Sequence, residues 1–448
     1  MHGQALKGPA LPAETVFAPA TAAGRAAVGI VRISGPRAFD AARALAGPKL
    51  PPPRYAALRT FRDPATGEVL DRGLLLLFPG PRSYTGEDMV EIHHHGGPAV
   101  QAAILDALGG LPGLRPARPG EFTRRAFANG RMDLVEAEAV ADLVDAVTAA
   151  QRRLALRLAA GELSRALAAW RGRLLDLLAE VEAELDFAAE EGDVPDGLVA
   201  RARGEAAALR ADMARLLAGS RRGEVLMRGL TVAVTGAPNV GKSSLVNRLA
   251  RRDVAIVTPI AGTTRDVIEV RIDLGGIPVT LLDTAGLRET EDPVEAEGVR
   301  RARERAASAD LELRVVDATD PGPPPEVDGR AVVVVNKTDL APPPAWEMPF
   351  VAVSCATGAG LDALEAELAR RAAGLAGSGE VALLTRAYQR EALEEAVQAL
   401  ERIAADGTDP VLVAEDLRLA ARAVGRITGA VDVEDVLERV FARFCIGK

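Results

Sequence analysis

The sequence predicts a multidomain chain of the α/β and α classes. An α+β N-terminal domain is followed by a helical-bundle domain, and a further α/β domain interrupts the bundle. Three observations predict this. From Leu230 to Ala250 an apolar run leads through a glycine-rich loop into a helical pattern, the context of a phosphate-binding loop. From Thr231 to Val353 short apolar runs alternate with helical patterns, which predicts a mostly parallel sheet covered on both faces. From about Leu134 to Leu217, and again over 380–444, Ala, Leu, Glu and Arg recur at helical spacing, and neither stretch closes on itself. One helical domain split by an insertion is the economical reading, since surface sites with adjacent chain ends tolerate insertions. Two independent helical domains are the alternative. The boundaries expected are 1–128, 129–220, 221–377 and 378–448, and 448 residues suit about three domains.

Composition narrows the class. With 48% hydrophobic residues each domain can bury a core. No apolar run reaches the ~18 residues of a membrane span. The first residues lack the basic-then-apolar pattern of a secretory signal. Two cysteines, Cys355 and Cys445, are too few for a disulfide framework and fit a reducing cytoplasm. The net charge is −9, but residues 1–130 carry 15 Lys and Arg against 10 Asp and Glu, so an acidic total does not exclude a nucleic-acid partner.

Taken in order, residues 1–12 read as a loose Pro/Gly tail. Ala27 to Ile33 and Leu74 to Phe78 read as strands, Ala38 to Ala46 and Ala99 to Leu108 as helices, with Pro/Gly turns at 79–81, 96–98 and 109–113. His93, His94 and His95 cannot converge on a metal, because neighbours on a strand face opposite ways. A tight turn is expected at Gly96 and Gly97, with the histidines partly exposed. Arg118, Arg124, Arg125 and Arg131 could bind phosphate, although a solvated face is the default. In the helical part Leu154, Leu158, Leu163 and Leu167 begin an apolar stripe. The acidic stretch Asp186 to Gly197, with Pro195, is expected to connect two helices. Strands are expected at Thr231 to Val234, Val267 to Ile272, Val279 to Asp283, Leu311 to Val316, Ala331 to Val335 and Phe350 to Val353.

Five pieces make a guanine-nucleotide site. Gly236 and Gly241 let backbone N–H groups turn towards phosphate across Asn239, Val240, Gly241, Lys242, Ser243 and Ser244. Lys242 can reach the β- and γ-phosphates and Ser243 can ligate Mg²⁺. Asp283 can hold Mg²⁺ through water, and in Thr284-Ala285-Gly286 the Gly286 N–H can meet the γ-phosphate. In Gly262-Thr263-Thr264 a hydroxyl can complete the Mg²⁺ shell. In Asn336-Lys337-Thr338-Asp339 a carboxylate can accept both guanine N1–H and the exocyclic amine, donors that adenine does not pair. The backbone of Ser354-Cys355-Ala356 could meet the base oxygen. In this order, each at a strand end, the pieces resemble the translation-factor-like branch of small GTPases. The residue after Gly286 is Leu287, so the water-orienting glutamine of Ras-like enzymes is absent. Glu289, Glu291, Asp292 and Glu295 are the candidates to replace it. Thr258-Pro259-Ile260-Ala261-Gly262-Thr263-Thr264 reads as a plain switch loop. Its carbonyls and hydroxyls, with Asn239, could also cage a monovalent cation.

The chain ends in Phe444-Cys445-Ile446-Gly447-Lys448. The residues alone read Cys445 as a small apolar group packed beside Phe444 and Ile446, with a nucleophile as the alternative.

Over Glu14 to Lys448 the chain resembles the MnmE (TrmE) family of tRNA-modification GTPases. The matches are Gly29-Ile-Val-Arg-Ile-Ser-Gly35, Tyr84-Thr-Gly-Glu-Asp88, Ala117-Arg-Pro-Gly-Glu-Phe122, the nucleotide motifs and Phe444 to Lys448. The resemblance implies an N-terminal domain that dimerises and binds 5-formyl-tetrahydrofolate through Arg32, Glu91, Arg131 and Lys448. The family commonly has Lys where Arg131 stands, so the charge is kept and the geometry changed. It implies a helical domain interrupted by a Ras-like P-loop GTPase domain, and K⁺-stimulated GTP hydrolysis on dimerisation of that domain. Asn239, Thr258, Ile260 and Thr263 would ligate K⁺, Ser243 and Thr264 Mg²⁺, and Glu295 would be catalytic. It implies a functional Cys445 and an FAD-containing partner, MnmG, in a heterotetramer. Together they would modify C5 of the wobble uridine of certain tRNAs with a carboxymethylaminomethyl-type group. A cytoplasmic location is the expectation that the two cysteines give.

Overall fold

Strand alternation organises the N-terminal part of the computed structural model, which describes residues 14–191, 196–252, 255–256, 269–283, 304, 307–377, 383–406, 409–431, 440–441, 444 and 447. In order come β1 (Thr15–Pro19), β2 (Val28–Ser34), α1 (Ala38–Ala46), β3 (Ala57–Arg62), β4 (Val69–Phe78), β5 (Met89–His95), α2 (Pro98–Gly109), β6 (Leu114–Pro116) and α3 (Glu121–Ala128). The strands form one sheet in the order β3-β4-β5-β2-β1-β6. Every pairing is antiparallel except β1 with β6. Val31, Ile33, Val90 and Ile92 turn to one face and join Leu45, Ile104 and Leu108 in a dry core. The period of two then puts Arg32 and Glu91 on the opposite face, where the β2–β5 register sets them side by side.

Two expectations for this part are corrected. The histidines are not uniformly part-exposed, because β5 runs through His95 up to the expected break at Gly96 and Gly97. Strand alternation buries His94, which is 3% exposed, and leaves His95 outside. Arg125 is no part of a solvated or phosphate-binding face. Its side chain is fully buried between Glu121, Glu87 and the Glu14 carbonyl. The Glu121–Arg125 spacing of one helical turn was readable as a pair.

The helical part follows as α4 (Leu134–Asp145), α5 (Ala149–Ala159), α6 (Glu162–Glu191), α7 (Asp196–Ala218) and α8 (Ser220–Arg228). The stripe residues Leu154, Leu158, Leu163 and Leu167 are all buried. It is carried by two helices, because Gly161 takes a left-handed turn (φ 75°) between them. The backbone of Asp186 to Glu191 is helical, so the acidic stretch extends α6 instead of ending it. Its residues are poor at breaking a helix, and the proline comes only at position 195.

A second sheet is built from β7 (Leu230–Thr235), β8 (Ala255–Ile256), β9 (Glu269–Leu274), β10 (Ile277–Asp283), β11 (Leu311–Asp317), β12 (Ala331–Asn336) and β13 (Val351–Ala352). Its order is β13-β12-β11-β7-β10-β9-β8. The five strands from β13 to β10 are parallel, and β9 and β8 add an antiparallel edge. All six residues of β12 are buried, as a strand covered on both faces requires. Helix α9 (Lys242–Leu249) follows β7, and α10 (Leu361–Ala376) follows β13. Among the described residues two more long helices follow, α11 (Ala387–Asp406) and α12 (Pro410–Thr428). Helix α7 packs along α11, and the Arg203 guanidinium donates to the carbonyls of Ala404 and Ala405 at 3.3 and 3.1 Å. Helices from both sides of the second sheet's sequence thus pack together.

By contacts the chain divides into Met1–Ala141 with Leu158–Arg173 and Ala421–Lys448, and Asp142–Arg157 with Leu174–Ala420. Among the described residues no helix is long and apolar enough to cross a membrane.

Candidate functional site

The phosphate-loop region is assembled around glycines whose backbone conformation and close neighbours disfavour any side chain. Gly236 lies at φ 139°, and a Cβ there would sit 2.2 Å from the Val315 carbonyl oxygen. Gly241, at φ 99°, caps α9, and its Cβ would sit 2.2 Å from Asn336 Nδ2. Asn239 adopts a left-handed conformation (φ 64°), so successive N–H groups curve into a concavity at the helix N-terminus. Lys242 is 8% exposed and arches back over the loop. Its Nζ donates to the carbonyls of Gly236 and Ala237 at 2.9 and 2.8 Å. Ser243 and Ser244 stand on the first turn of α9, and Val240 is buried beneath the loop. Asp283 ends β10, beside β7, at 3% exposed.

Asn336 ties three loops together. Its Nδ2 donates to the Val240 carbonyl at 2.9 Å and its Oδ1 accepts the Cys355 N–H at 3.1 Å. Thr338 is fastened through its hydroxyl to the Val353 carbonyl, and Ser354 Oγ donates to Asp339 Oδ1 at 2.6 Å. Among the described residues, Asp339 Oδ2 has no hydrogen-bond partner. Lys337 is left-handed (φ 66°), and its Nζ is paired to Asp317 at 2.5 Å. Burial acts first to raise the Asp317 carboxyl, but Lys337 and the Thr319 hydrogen bonds outweigh it and leave it lowered. Asp317 was not foreseen, and its place at the end of β11, in register with Asn336, was the only signal. Burial pushes the Cys355 thiol up to about 11, so at neutral pH it is protonated and a poor nucleophile.

The second constellation lies on the open face of the N-terminal sheet. Arg32 donates through Nε and Nη2 to Glu91 Oε1 at 3.2 and 2.9 Å. Its guanidinium lies 5.4 Å from the centroid of Tyr84 and 5.8 Å from that of Phe122, within cation–π range. Arg32 Nη1 also reaches the Gly447 carbonyl at 3.4 Å. Gly447 fits there for want of a side chain, since a Cβ would lie 1.9 Å from the Pro19 carbonyl oxygen. Phe441 and Phe444 are buried, and Gly120 passes close to both. Arg131 lies over Gly86. The structure thus brings Arg32, Glu91 and the Gly447 backbone together. Tyr84, Phe122 and His93, whose Nε2 is 3.4 Å from Glu91 Oε2, were missed as neighbours. Alternation along β5 could have placed His93 beside Glu91. Thr258, Pro259, Ile260, Ala261, Gly262, Thr263, Thr264, Thr284, Ala285, Gly286, Glu295, Cys445 and Lys448 lie outside the described residues.

Fold and loop geometry define a multidomain α/β and α protein that carries a Ras-like P-loop domain. Residues 15–131 match the family model described as the GTP-binding protein TrmE N-terminus. Residues 134–445 match the model described as the MnmE helical domain. The chain belongs to the MnmE (TrmE) family. It is 55% identical to the tRNA modification GTPase MnmE of Methylorubrum populi, over 97% of this chain and 98% of that one. It is also 55% identical to the namesake from Rhodospirillum rubrum, over 97% and 99%. Among solved structures, an Aquifex aeolicus Era variant bound to GDP and AlF4⁻ is 27% identical, over 38% of this chain and 66% of that one, with a TM-score of 0.25.

Proposed function

We propose that this protein hydrolyses GTP in the service of tRNA modification. The observation that carries the reading is the clip made by Asn336. One side chain joins the phosphate loop, the Asn336–Asp339 turn and the Ser354–Ala356 loop, so phosphate and base recognition share one rigid frame. Asp339, with one oxygen held by Ser354, offers the other to guanine N1–H and the exocyclic amine. The backbone of Ser354-Cys355-Ala356, held in place by the Cys355 N–H bond to Asn336, would meet the base oxygen. The family named for tRNA modification supplies the process that the hydrolysis serves.

Mg²⁺ would be held by Ser243 and Thr264, with Asp283 through water. The Ser243 hydroxyl beside the loop and the buried Asp283 carboxylate are hard oxygen donors suited to that ion. K⁺ would be held by Asn239, Thr258, Ile260 and Thr263 and would supply positive charge to the transferring phosphoryl group, with Glu295 acting on the attacking water. A 5-formyl-tetrahydrofolate would sit at Arg32, Glu91, Arg131 and Lys448. The cradle fits such a group: a guanidinium, a carboxylate and two aromatic rings face one spot, matching the donors, acceptors and flat ring of a pterin. When bound, that group supplies a one-carbon unit. Arg32 and Glu91 bind and orient it, and Cys445 lies in the terminal segment whose Gly447 carbonyl meets Arg32. The protein acts as a homodimer with the FAD-containing MnmG, in the cytoplasm, on the wobble uridine of certain tRNAs. The domains would be bounded at 128, 220 and 377; the packing of α7 on α11 supports one helical domain drawn from both sides of the insertion.

The decisive experiment is nucleoside analysis of tRNA from cells lacking the protein. Loss of the modified wobble uridine is expected, and normal modification would overturn the reading. GTP turnover should be faster in K⁺ than in Na⁺, and Glu295→Ala should abolish most of it while sparing nucleotide binding.

A further inference from the structure

Buried polar side chains away from the nucleotide gather at the start of α5. Thr148 and Gln151 are 4% and 6% exposed. They form a reciprocal capping box. The Thr148 hydroxyl accepts the Gln151 N–H at 3.2 Å, and Gln151 Oε1 accepts the N–H groups of Thr148 and Val147 at 3.1 and 2.9 Å. Capping uses only the acceptors. Both side chains still have protons to give, and both give them to backbone of the P-loop part of the chain. Thr148 Oγ1 donates to the Gly276 carbonyl at 2.9 Å. Gln151 Nε2 donates to the Met227 carbonyl at 3.1 Å, two residues before Gly229 and the first strand of that sheet.

What the box grips is the tip of the β9–β10 hairpin. Gly275 and Gly276 are both left-handed, and Asp273 Oδ1 accepts the Gly276 N–H at 2.6 Å. A Cβ on Gly276 would lie 3.0 Å from the Ala150 Cβ, so the tip meets the helix start without spare room. From that tip a ladder of six registered pairs, Ile277 with Leu274 through Leu282 with Glu269, runs to the other end of the hairpin. There β10 ends in the buried Asp283, directly before Thr284-Ala285-Gly286 in the chain, and β9 is the strand that follows Gly262-Thr263-Thr264. The two segments expected to sense the γ-phosphate therefore adjoin, in sequence, the two strands of one hairpin whose tip is held by Thr148.

We propose that the Thr148–Gln151 capping box is the joint that couples the nucleotide state to the helical segment, with Thr148 acting as a positioning residue through Gly276. The coupling rests on the guanine-nucleotide reading above. It is reciprocal: whatever the γ-phosphate does to the grip on Gly276, that grip does to the preference for GTP over GDP. A side chain that only fastened the helix would change stability and leave the preference alone.

The test uses the full-length protein in three forms: wild type, Thr148→Val, which keeps the volume and removes the donor, and Thr148→Ser, which restores it. Affinities for GDP and a non-hydrolysable GTP analogue are measured by calorimetry, and amide hydrogen exchange is followed over residues 144–157. In the wild type, exchange over 144–157 is expected to differ between the two nucleotides. In Thr148→Val that difference disappears and the ratio of the two affinities shifts about fivefold or more; Thr148→Ser returns both towards wild type. Equal exchange in the two wild-type complexes overturns the proposal, even if the valine variant does not fold. So does an unchanged affinity ratio in a folded Thr148→Val protein. Absence of any guanine-nucleotide binding by the wild type overturns the parent reading instead.

Discussion

At the scale of single residues, charge decides more than size. Asp339 is held by Ser354 with one oxygen directed elsewhere. An asparagine there would present a donor where guanine also donates. Asp339→Asn should weaken GTP binding roughly 10²-fold or more, because a site built for a hydrogen-bond pair rejects the ligand that lacks it. Xanthosine triphosphate, which carries an acceptor at that position, should gain affinity; competition with a fluorescent GDP measures both. In the N-terminal sheet Glu121 carries the fully buried Arg125 and also Arg115. Burial acts first to raise its carboxyl, yet Arg115, the Arg118 N–H and Arg125 together hold it at about 2, below the ordinary 4.5. Its folded value is the depressed one. The contribution to stability is thus complete above about 4.5 and is lost as pH falls from there through about 2. Thermal unfolding followed across that window should show the loss, and Glu121→Gln should flatten it. At neutral pH the same variant should cost on the order of 3–5 kcal/mol, the cost of leaving a buried arginine half-paired.

At the scale of elements, the P-loop and its helix are placed by contact with neighbours as much as by their own turn. Gly241→Ala would drive a methyl into Asn336 Nδ2 and strain a φ of 99°. The expected result is that the clip from Asn336 to Val240 and Cys355 opens. GTP and GDP affinity should fall together by about tenfold or more, at the cost of one buried hydrogen-bonded clip, with little change in circular dichroism. Equal affinity in the variant would show that the three loops hold their places without Asn336. The N-terminal sheet works differently. Its period of two sorts Val31 and Ile33 to the core and Arg32 to the open face, so one register pairing, Arg32 with Glu91, builds the centre of the second constellation.

At the scale of the whole molecule, the two constellations are built from separate stretches of chain. Arg32, Glu91, Tyr84, Phe122 and Gly447 draw on the two ends of the sequence, while the nucleotide motifs draw on the middle. A chain in which a glycine-rich linker replaces 221–377 should keep tetrahydrofolate binding and lose GTP binding. The excised 221–377 segment should show the reverse, as calorimetry on both pieces would reveal. Loss of folate binding in the linker-joined chain would count against the inserted arrangement.

The sequence alone determined the order of the classes and the chemistry of the nucleotide loop. Both are local: a glycine loop between an apolar strand and a helix means the same thing wherever it is met, and continuous apolar runs such as Ala331 to Val335 read as buried strands without help. It also supplied Arg32 and Glu91, through resemblance and not through spacing. Short and edge strands such as β6 and β8 were not legible, because three or two residues carry no period. Arg125 was misjudged because its burial depends on Glu87 and the Glu14 carbonyl, which are 38 and 111 residues away. The same holds for His94, whose face is set by β5 extending to the turn, and for Asp317, which meets Lys337 only across two strands. The tertiary structure alone decided that the terminal Gly447 returns to Arg32, and that the capping box of α5 gives its spare protons to Gly276 and Met227. Such contacts join residues between 76 and 415 positions apart. No local propensity encodes them; they form only when packing brings donors and acceptors from distant parts of the chain within reach of one another.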